Sequence, residues 1–282
     1  MNNLSRYIDG GEFMKDKHIG VFDSGLGGLT CVSELINILP NESIVYFGDT
    51  GRVPYGSRSE ETIIKYVRGD INFLLDHDIK LIVAACGTAS CVALPVLDQD
   101  FNVKIIGVTE PAVDSAISAT RNGRIGIIGT AGTISNGKYE KLIREKAPQI
   151  KTFSKPCPLF VPLVENGLAN HEITKIACRM YLQEIKDKDI DTLILGCTHY
   201  PMLKEVISEF MGDGVTLIDP GKETAHFVKK FLAENDMEAH GDKKAEHRYF
   251  VSDTVAGFEK TASLFMDESI VGKVEKIDIE KY

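Results

Sequence analysis

Two cysteines stand at the ends of chain segments that resemble each other. Residues 78–86 align without gaps with residues 189–197, and the segments end in Cys86 and Cys197. Upstream, residues 19–24 align with residues 125–130 in the same order and at a similar spacing. Apolar β-runs often match by chance, but two ordered matches that each end in a residue capable of chemistry favour duplication of one α/β unit.

Two thiols at equivalent strand ends suit one kind of reaction. When two related halves face each other, Cys86 and Cys197 lie on opposite sides of one pocket. One thiolate then removes a proton from a carbon, and the other thiol returns a proton to the opposite face. An unperturbed thiol has a pKa of about 8.5, so small local shifts supply a thiolate near neutral pH.

The sequence leaves two other uses of these cysteines open. A zinc site is disfavoured because Cys197 and His199 are closer than standard zinc spacings and the chain has no Cys-x-x-Cys motif. The hypothesis of a Cys–His nucleophile is disfavoured because the second copy also keeps its cysteine, whereas acyl transfer needs one nucleophile and one base. The remaining cysteines are interpreted as packing residues: Cys31, Cys91, Cys157 and Cys178.

Three glycine-containing segments are candidates for ligand binding. Residues 23–28, Asp-Ser-Gly-Leu-Gly-Gly, allow close approach to an anion but lack the Gly-x-Gly-x-x-Gly pattern of dinucleotide sites. Residues 132–138 match most of a Walker A loop, but Tyr139 replaces the hydroxyl residue that holds magnesium, which argues against ATP or GTP. In the loop of residues 49–56, Tyr55 is a candidate donor to a ligand carboxylate.

Short apolar runs alternate with amphipathic stretches and so predict the elements that position these residues. Helical patterns cover residues 62–75 and 173–185. This alternation predicts an α/β fold with parallel sheets, in which ligands bind at the carboxyl ends of the strands. The predicted strands are residues 19–22, 44–47, 81–83, 105–108, 125–128, 193–195 and 215–218.

Composition excludes several classes of protein. The chain has 282 residues and a formal net charge of −9, which argues against nucleic acid as a partner but leaves room for a small anion. No apolar run reaches the roughly 18 residues that a membrane span requires, so no membrane partner is expected. Six cysteines are too few for a disulfide scaffold, which favours a reduced, cytoplasmic protein.

The N-terminus does not read as a targeting signal. Residues 1–17 lack an apolar core and a small-residue cleavage site, and we expect an extension without stable structure. Met14 stands just before the first apolar run. Our hypothesis is that Met14 is the natural start and that the residues before it are a translated leader.

Together these motifs resemble the glutamate racemase family, within the wider cofactor-independent aspartate/glutamate racemases. The segment Leu-Gly-Cys-Thr-His-Tyr-Pro at 195–201 is the most specific match, and His199 points to the glutamate branch because aspartate-preferring relatives usually carry an acidic residue there. The likeness runs from about residue 18 to the end of the chain. The other matching segments are residues 23–28, 53–56, the strand ending in Cys86 with 88–90, 129–133, 164–165 and 249–252.

The resemblance implies a fold and a set of roles. It implies two similar α/β domains related by pseudo-symmetry, residues 18–112 plus 219–282 and residues 113–218, with the active site in the cleft between them. It implies a homodimer that needs no cofactor or metal and supplies D-glutamate for peptidoglycan. Cys86 and Cys197 would be the two bases, assisted by Asp23 and His199, with Glu165 near the second. The residues expected to bind glutamate are Asp23, Ser24, Tyr55, Gly56, Thr88, Thr130, Thr133, Thr198 and His199.

One position departs from the family pattern. The family normally reads Cys-Asn-Thr where this chain has Cys86-Gly87-Thr88. Loss of a neutral hydrogen bond costs about 0.5–1.5 kcal/mol, so Gly87→Asn is predicted to raise activity on glutamate. Two alternatives stay open at this point: a racemase acting on aspartate or another amino acid, and an inactive paralogue that only binds an amino acid.

Overall fold

The computed structural model describes residues 14–241, 244–266 and 270–282. The described chain has two sheets, and each paired strand runs parallel to its neighbour. The predicted α/β class is therefore confirmed. The strands are β1 (His18–Asp23), β2 (Ile44–Gly48), β3 (Ile79–Ala84), β4 (Lys104–Gly107), β5 (Arg124–Gly129), β6 (Lys151–Pro156), β7 (Thr192–Gly196), β8 (Thr216–Ile218), β9 (His247–Val251) and β10 (Val274–Lys276).

The two sheets repeat one strand order. The six-stranded sheet runs β10-β9-β2-β1-β3-β4, and the four-stranded sheet runs β6-β5-β7-β8. Matching β5 to β1 and β7 to β3 makes the second sheet a copy of the β2-β1-β3-β4 portion of the first. Asp78 and Asp189, aligned in the sequence, both adopt left-handed backbone conformations, with φ of 49° and 55°, shortly before β3 and β7. Shared topology and shared local conformation both support a duplicated unit.

Helices cover the sheets and bury their apolar faces against them. The two amphipathic stretches predicted from the sequence are α2 and α9, and Ser59 caps α2 by accepting from the backbone N–H of Thr62. The helices of the described residues are α1 (Leu29–Ile38), α2 (Glu60–Leu75), α3 (Gly87–Val92), α4 (Leu94–Leu97), α5 (Thr109–Ala119), α6 (Ala131–Asn136), α7 (Lys138–Lys146), α8 (Phe160–Glu165), α9 (Glu172–Lys186), α10 (Lys204–Met211), α11 (Pro220–Glu234) and α12 (Val255–Ala262).

Three strands were not predicted from apolar runs: β6, β9 and β10, of which β9 contains most of the segment 249–252 that was matched through the family resemblance. β6 and β10 lie at the edges of their sheets, and most of their residues are half-buried or exposed. The central strands β2, β3 and β7 are buried along their whole length. A strand covered on both faces reads as a continuous apolar run, whereas a partly solvated edge strand does not.

The two sheets coincide with the two halves of the chain. The strands of the six-stranded sheet come from residues 18–107 and 247–276, and those of the four-stranded sheet come from residues 124–218. The chain thus leaves the first half, builds the second and returns. Helix α11 packs on α1 and α5 at the point of return. The limits of the domains at residues 112 and 218 stay predictions.

The N-terminal segment is described only in part. Residues 1–13, which belong to the predicted extension, lie outside the described residues. Met14 is half-buried against the core, and Lys15 Nζ lies 2.9 Å from Asp236 Oδ1. Two residues of the segment predicted to lack stable structure, Met14 and Lys15, therefore contact the body of the protein.

The thiols of the chain lie in its interior. All six cysteines lie in the described ranges and each is free and buried. Among those same residues, no helix is both long and apolar enough to cross a membrane.

Candidate active site

A cavity of about 230 Å³ lies where the carboxyl ends of strands from both sheets meet. This is the position at which parallel α/β sheets bind ligands. It brings together every residue predicted for the site except Asp23, which is fully buried directly behind the wall. The lining residues are Ser24, Gly25, Val53, Pro54, Tyr55, Gly56, Cys86, Gly87, Thr88, Thr130, Thr133, Val161, Glu165, Gly196, Cys197, Thr198 and His199.

The first thiol belongs to Cys86, which lies two residues after the end of β3 and occupies the N-cap position of α3. Its Sγ lies 3.7 Å from Ser24 Oγ, in the turn after β1. Burial raises the pKa of the Cys86 thiol to about 12, and the neighbouring carboxylate of Asp23 adds to the rise. This environment favours the protonated form of Cys86.

Asp23 is the carboxyl group behind the first thiol. Its Oδ2 accepts from the backbone N–H of Gly25 at 2.9 Å, and its Oδ1 accepts from Thr198 Oγ1 at 3.4 Å. Burial raises its pKa, while His199 and these hydrogen bonds act in the opposite direction. The contact with Thr198 connects a turn of the first half to a turn of the second.

The second thiol belongs to Cys197, which directly follows β7. Its Sγ lies 3.9 Å from His199 Nδ1, and His199 Nε2 lies 3.0 Å from Glu165 Oε1. Burial alone lowers the pKa of His199, but the hydrogen bonds to Cys197 and Glu165 outweigh it and raise this pKa to about 10. A protonated imidazole therefore stands beside Cys197, whereas a carboxyl group stands beside Cys86.

The glycine turn after β1 is shaped by how closely it approaches the second half. A Cβ on Gly27 would lie 2.5 Å from His199 Nδ1, and a Cβ on Gly28 would lie 3.0 Å from Tyr46 Oη. Any side chain on Gly27 would displace the imidazole that pairs with Cys197. The absence of a side chain at Gly27 allows this close approach to the second half, and at Gly28 it allows packing within the first half.

Three threonine hydroxyls line the cavity and span the two halves. Thr88 Oγ1 lies 3.1 Å from Thr130 Oγ1 and 3.2 Å from Thr133 Oγ1, and the last two lie 3.0 Å apart. Thr130 follows β5 and caps α6, with Oγ1 accepting from the Thr133 backbone N–H at 3.3 Å. Hydroxyls that now satisfy one another can turn to donate to a carboxylate.

Tyr55 lines the cavity, but its hydroxyl does not face it. The ring is 1% exposed, and the hydroxyl lies 2.5 Å from Asp49 Oδ2 and 2.8 Å from Asp70 Oδ2. The expectation that this hydroxyl donates to a ligand carboxylate is therefore corrected, because both of its contacts are inside the protein. Tyr55 instead holds the next residue, Gly56, in place. The α-carbon of Gly56 approaches Thr130 so closely that a Cβ there would lie 2.8 Å from Thr130 Oγ1.

Gly87 lies against the backbone of the second half. A Cβ on Gly87 would lie 2.6 Å from the backbone carbonyl oxygen of Gly196, which precedes Cys197. A backbone oxygen cannot swing away as a flexible side chain can, so any side chain at this position pushes the two thiol-bearing turns apart. On this ground we now predict that Gly87→Asn lowers activity on glutamate, which is the opposite of the expectation from the sequence.

Sequence reasoning missed the polar groups that hold the loop of residues 49–57. Asp49 and Asp70 are fully buried, and both contact Arg52, whose side chain is 11% exposed. Asp70 lies three residues after Val67 and so falls on the buried face of α2. A lone carboxylate on the apolar face of a predicted helix was the available signal.

The structure also shows what the other candidates do. A second cavity of about 220 Å³ runs beside β4 and is lined by Lys104, Glu110 and Lys138, but none of the predicted site residues reaches it. Lys138 belongs to the segment that matches a Walker A loop, which here forms α6 and the start of α7. Within the described ranges, no three side chains of His, Cys, Asp or Glu are grouped as metal ligands would be.

The sequence matches a family of amino-acid racemases and a protein named glutamate racemase. The Asp/Glu/Hydantoin racemase family profile matches residues 30–228. The chain is 44% identical to the glutamate racemase of Geobacter metallireducens over 264 residues, which cover 94% of this chain and 97% of that protein.

Solved structures of glutamate racemases are similar to this chain in fold. The crystal structure of glutamate racemase isoform RacE1 from Bacillus anthracis superposes with a TM-score of 0.89 at 39% identity, covering 94% of this chain and 98% of that chain. The glutamate racemase of Francisella tularensis, crystallised in complex with D-glutamate, superposes with a TM-score of 0.88 at 36% identity, covering 95% of this chain and 100% of that chain.

Proposed function

Because this chain belongs to the glutamate racemase family, among the Asp/Glu/Hydantoin racemases, we propose that it interconverts L- and D-glutamate. It acts by direct proton transfer at the α-carbon between two cysteines, without a cofactor. The observation that carries the proposal is that Cys86 and Cys197, from equivalent strand ends of the two halves, line one cavity.

The cavity supplies donors for a substrate that carries two carboxylates. The hydroxyls of Thr88, Thr130 and Thr133 exchange their mutual hydrogen bonds for bonds to a carboxylate. Ser24 and Thr198 add hydroxyls from the turns after β1 and β7. These local donors allow a dianion to bind within a protein whose net charge is −9.

The reaction moves one proton off the α-carbon and one proton onto it. The thiolate on one face forms an S–H bond as the C–H bond breaks, and the electron pair spreads into the α-carboxylate, where the hydroxyl donors stabilise it. The thiol on the other face then gives its proton to the α-carbon and becomes a thiolate. The product is the opposite enantiomer, and the two cysteines have exchanged protonation states.

The neighbours of each thiol fit this exchange. His199, held by Glu165, places positive charge beside Cys197, so this side is equipped to begin as the base. Burial next to Asp23 keeps the proton on Cys86, so that side is equipped to begin as the acid. For the opposite enantiomer the two roles are reversed, and Asp23 and His199 each assist the thiol nearest to them.

The cellular role follows from the activity. D-Glutamate made in this way is used in peptidoglycan. We place the protein in the cytoplasm, because both thiols must stay reduced to act. A homodimer is the proposed assembly, as it is for the family that the sequence resembles.

Exchange of the α-hydrogen tests the proposal directly. L-Glutamate and D-glutamate are incubated separately with the protein in heavy water, and NMR follows loss of the α-proton while chiral chromatography follows inversion. We expect both enantiomers to gain deuterium and to converge on a racemate, with aspartate unchanged in parallel. Binding of glutamate without exchange would identify a paralogue that only binds, and exchange of aspartate instead would identify a different substrate.

A further inference from the structure

A buried polar cluster holds the loop that forms one wall of the cavity. Asp49 Oδ2 accepts from Arg52 Nε at 2.7 Å, and Asp49 Oδ1 accepts from Ser252 Oγ at 2.8 Å. Arg52 Nη2 donates to Asp70 Oδ1 at 2.9 Å. Between the two carboxyl groups stands the hydroxyl of Tyr55, at 2.5 Å from Asp49 and 2.8 Å from Asp70.

The number of protons in this cluster determines which carboxyl group is neutral. A tyrosine hydroxyl has one proton and can donate to only one of the two carboxyl oxygens. The other oxygen, at 2.8 Å, must therefore carry a proton of its own and donate to the tyrosine oxygen. Among the described residues, Arg52, Ser252 and Tyr55 donate to Asp49, whereas Asp70 has Arg52 as its donor once the Tyr55 proton points at Asp49. The negative charge belongs on Asp49 and the extra proton on Asp70.

We propose that Asp70 is held as a neutral carboxylic acid and is a positioning residue for the substrate cavity. Its proton fixes Tyr55, and Tyr55 fixes the adjacent Gly56 against Thr130 of the other half. These contacts run from α2 in the first half to Thr130, which caps α6 in the second half. This inference rests on the proposed function only for its effect on glutamate binding; the protonation state itself is independent of it.

The charges around Asp70 agree with this assignment. Burial and the nearby Asp49 raise the pKa of Asp70 well above its usual range, and Asp23 adds to the rise. Arg52 and the Tyr55 hydroxyl act in the opposite direction. The single positive charge of Arg52 also faces Glu280, at 3.8 Å, and the ring of Tyr66 stacks on its guanidinium group, 4.3 Å from the centroid.

Substitutions at Asp70 separate a neutral acid from a carboxylate. In Asp70→Asn the amide group donates to Tyr55 as the acid did, and its oxygen still accepts from Arg52. We expect the KM for glutamate to stay within about twofold of wild type, whereas Asp70→Ala and Asp49→Asn raise it roughly tenfold or more because buried donors lose their acceptors. Asp100→Asn, which removes a surface partner of Arg68, is the matched control and leaves KM unchanged.

The dependence of stability on pH gives a readout that packing alone does not move. An aspartate in an unfolded chain has a pKa of about 3.9. Above that pH the folded protein holds one proton more than the unfolded chain, so Asp70 lowers the stability as pH rises toward its raised folded pKa. Asp70→Asn lacks this loss. We therefore expect the Tm of Asp70→Asn relative to wild type to increase between about pH 5 and about pH 8.

Each outcome decides the matter. The proposal is overturned when the Tm difference stays flat or decreases over that range, or when Asp70→Asn raises KM as much as Asp49→Asn. Should Asp70→Asn fail to fold, the side-chain carboxyl ¹³C resonance of Asp70 in wild type decides: a neutral-acid shift at pH 7 supports the proposal, and an ionised one overturns it. Glutamate racemisation absent from wild type would refute the proposed function, yet the Tm and NMR arms would still judge Asp70.

Discussion

The two thiols of the cavity occupy equivalent positions but have different neighbours. Cys86 follows β3 and lies next to Ser24, with the carboxyl of Asp23 behind it. Cys197 follows β7 and lies next to an imidazole that Glu165 holds from the other side. Strand order places the sulfur atoms, and the turns after each strand place different polar groups beside them. A duplicated scaffold thus supplies the geometry, and local substitutions supply the chemistry.

Because the two enantiomers of glutamate have equal free energies, kcat/KM cannot reveal the difference between Cys86 and Cys197. L- and D-glutamate have the same free energy in water, so kcat/KM must be equal in the two directions for wild type and for every variant. A change that harms one thiol therefore lowers both values of kcat/KM together. The asymmetry between Cys86 and Cys197 has to be sought in isotope effects and in kcat and KM taken separately.

Removing either thiol is expected to have the largest effect. Cys86→Ala and Cys197→Ala each leave one face of the α-carbon without an acid or base, so racemisation falls by about 10³-fold or more. Chiral chromatography after long incubation measures the loss. Cys178→Ala, which alters a buried cysteine of α9 away from the cavity, is the control and keeps its activity. Substantial turnover by either active-site variant would refute the two-thiol assignment.

Replacing the neighbours of the thiols is expected to have a smaller effect that separates the two sides. His199→Asn and Asp23→Asn each lower kcat/KM by on the order of 10²-fold, because proton transfer loses one assisting group. His199→Asn should also raise the primary deuterium isotope effect more for the enantiomer whose proton Cys197 removes, and Asp23→Asn should do so for the enantiomer whose proton Cys86 removes. The larger isotope effect therefore appears with opposite enantiomers in the two variants. If the larger isotope effect appeared with the same enantiomer in both variants, Asp23 and His199 would both assist one thiol.

Widening the contact between the two sides is expected to have the smallest effect. Gly87→Ala puts a Cβ against the Gly196 carbonyl oxygen, so the two thiols move apart by a few tenths of an ångström. We expect kcat/KM to fall roughly tenfold and the folded state to lose about 1–3 kcal/mol. Gly87→Asn should fall as well.

The control for this change is Gly257→Ala. The nearest atom to a Cβ there lies 3.4 Å away, which is ordinary van der Waals contact, so both activity and Tm should be retained. Equal activity of Gly87→Ala and wild type would mean that the two halves have room to adjust where Gly87 meets the Gly196 carbonyl oxygen.

The sequence was sufficient to predict those parts of the fold and site in which the type of a residue indicates whether it is buried. Buried central strands are apolar along their whole length, and the cysteines at their ends stood out against that background, so the α/β class and the grouping of Cys86 with Cys197 could be predicted. The edge strand β6 could not be, because its polar residues face solvent. Family likeness added His199 and Glu165, which lie far apart in the chain.

Other parts of the site depend on directions in space that a sequence does not carry. Tyr55 was correctly placed at the cavity, but its hydroxyl points to Asp49 and Asp70 rather than to the cavity. The position of Gly87 was noted as a missing amide, whereas the structure shows a backbone oxygen where a side chain would begin. Both corrections come from atoms of distant segments that fold against the residue.

The strand order shared by the two sheets also concerns how such a site can evolve. A pocket on the two-fold axis of a dimer of half-length chains has identical groups on both sides, since every mutation appears twice. Here the two copies lie on one continuous chain and are encoded separately. A mutation can then alter the surroundings of one sulfur and leave the other as it was. Fusion of the copies releases the pocket from symmetry, and an acid and a base can be optimised one at a time.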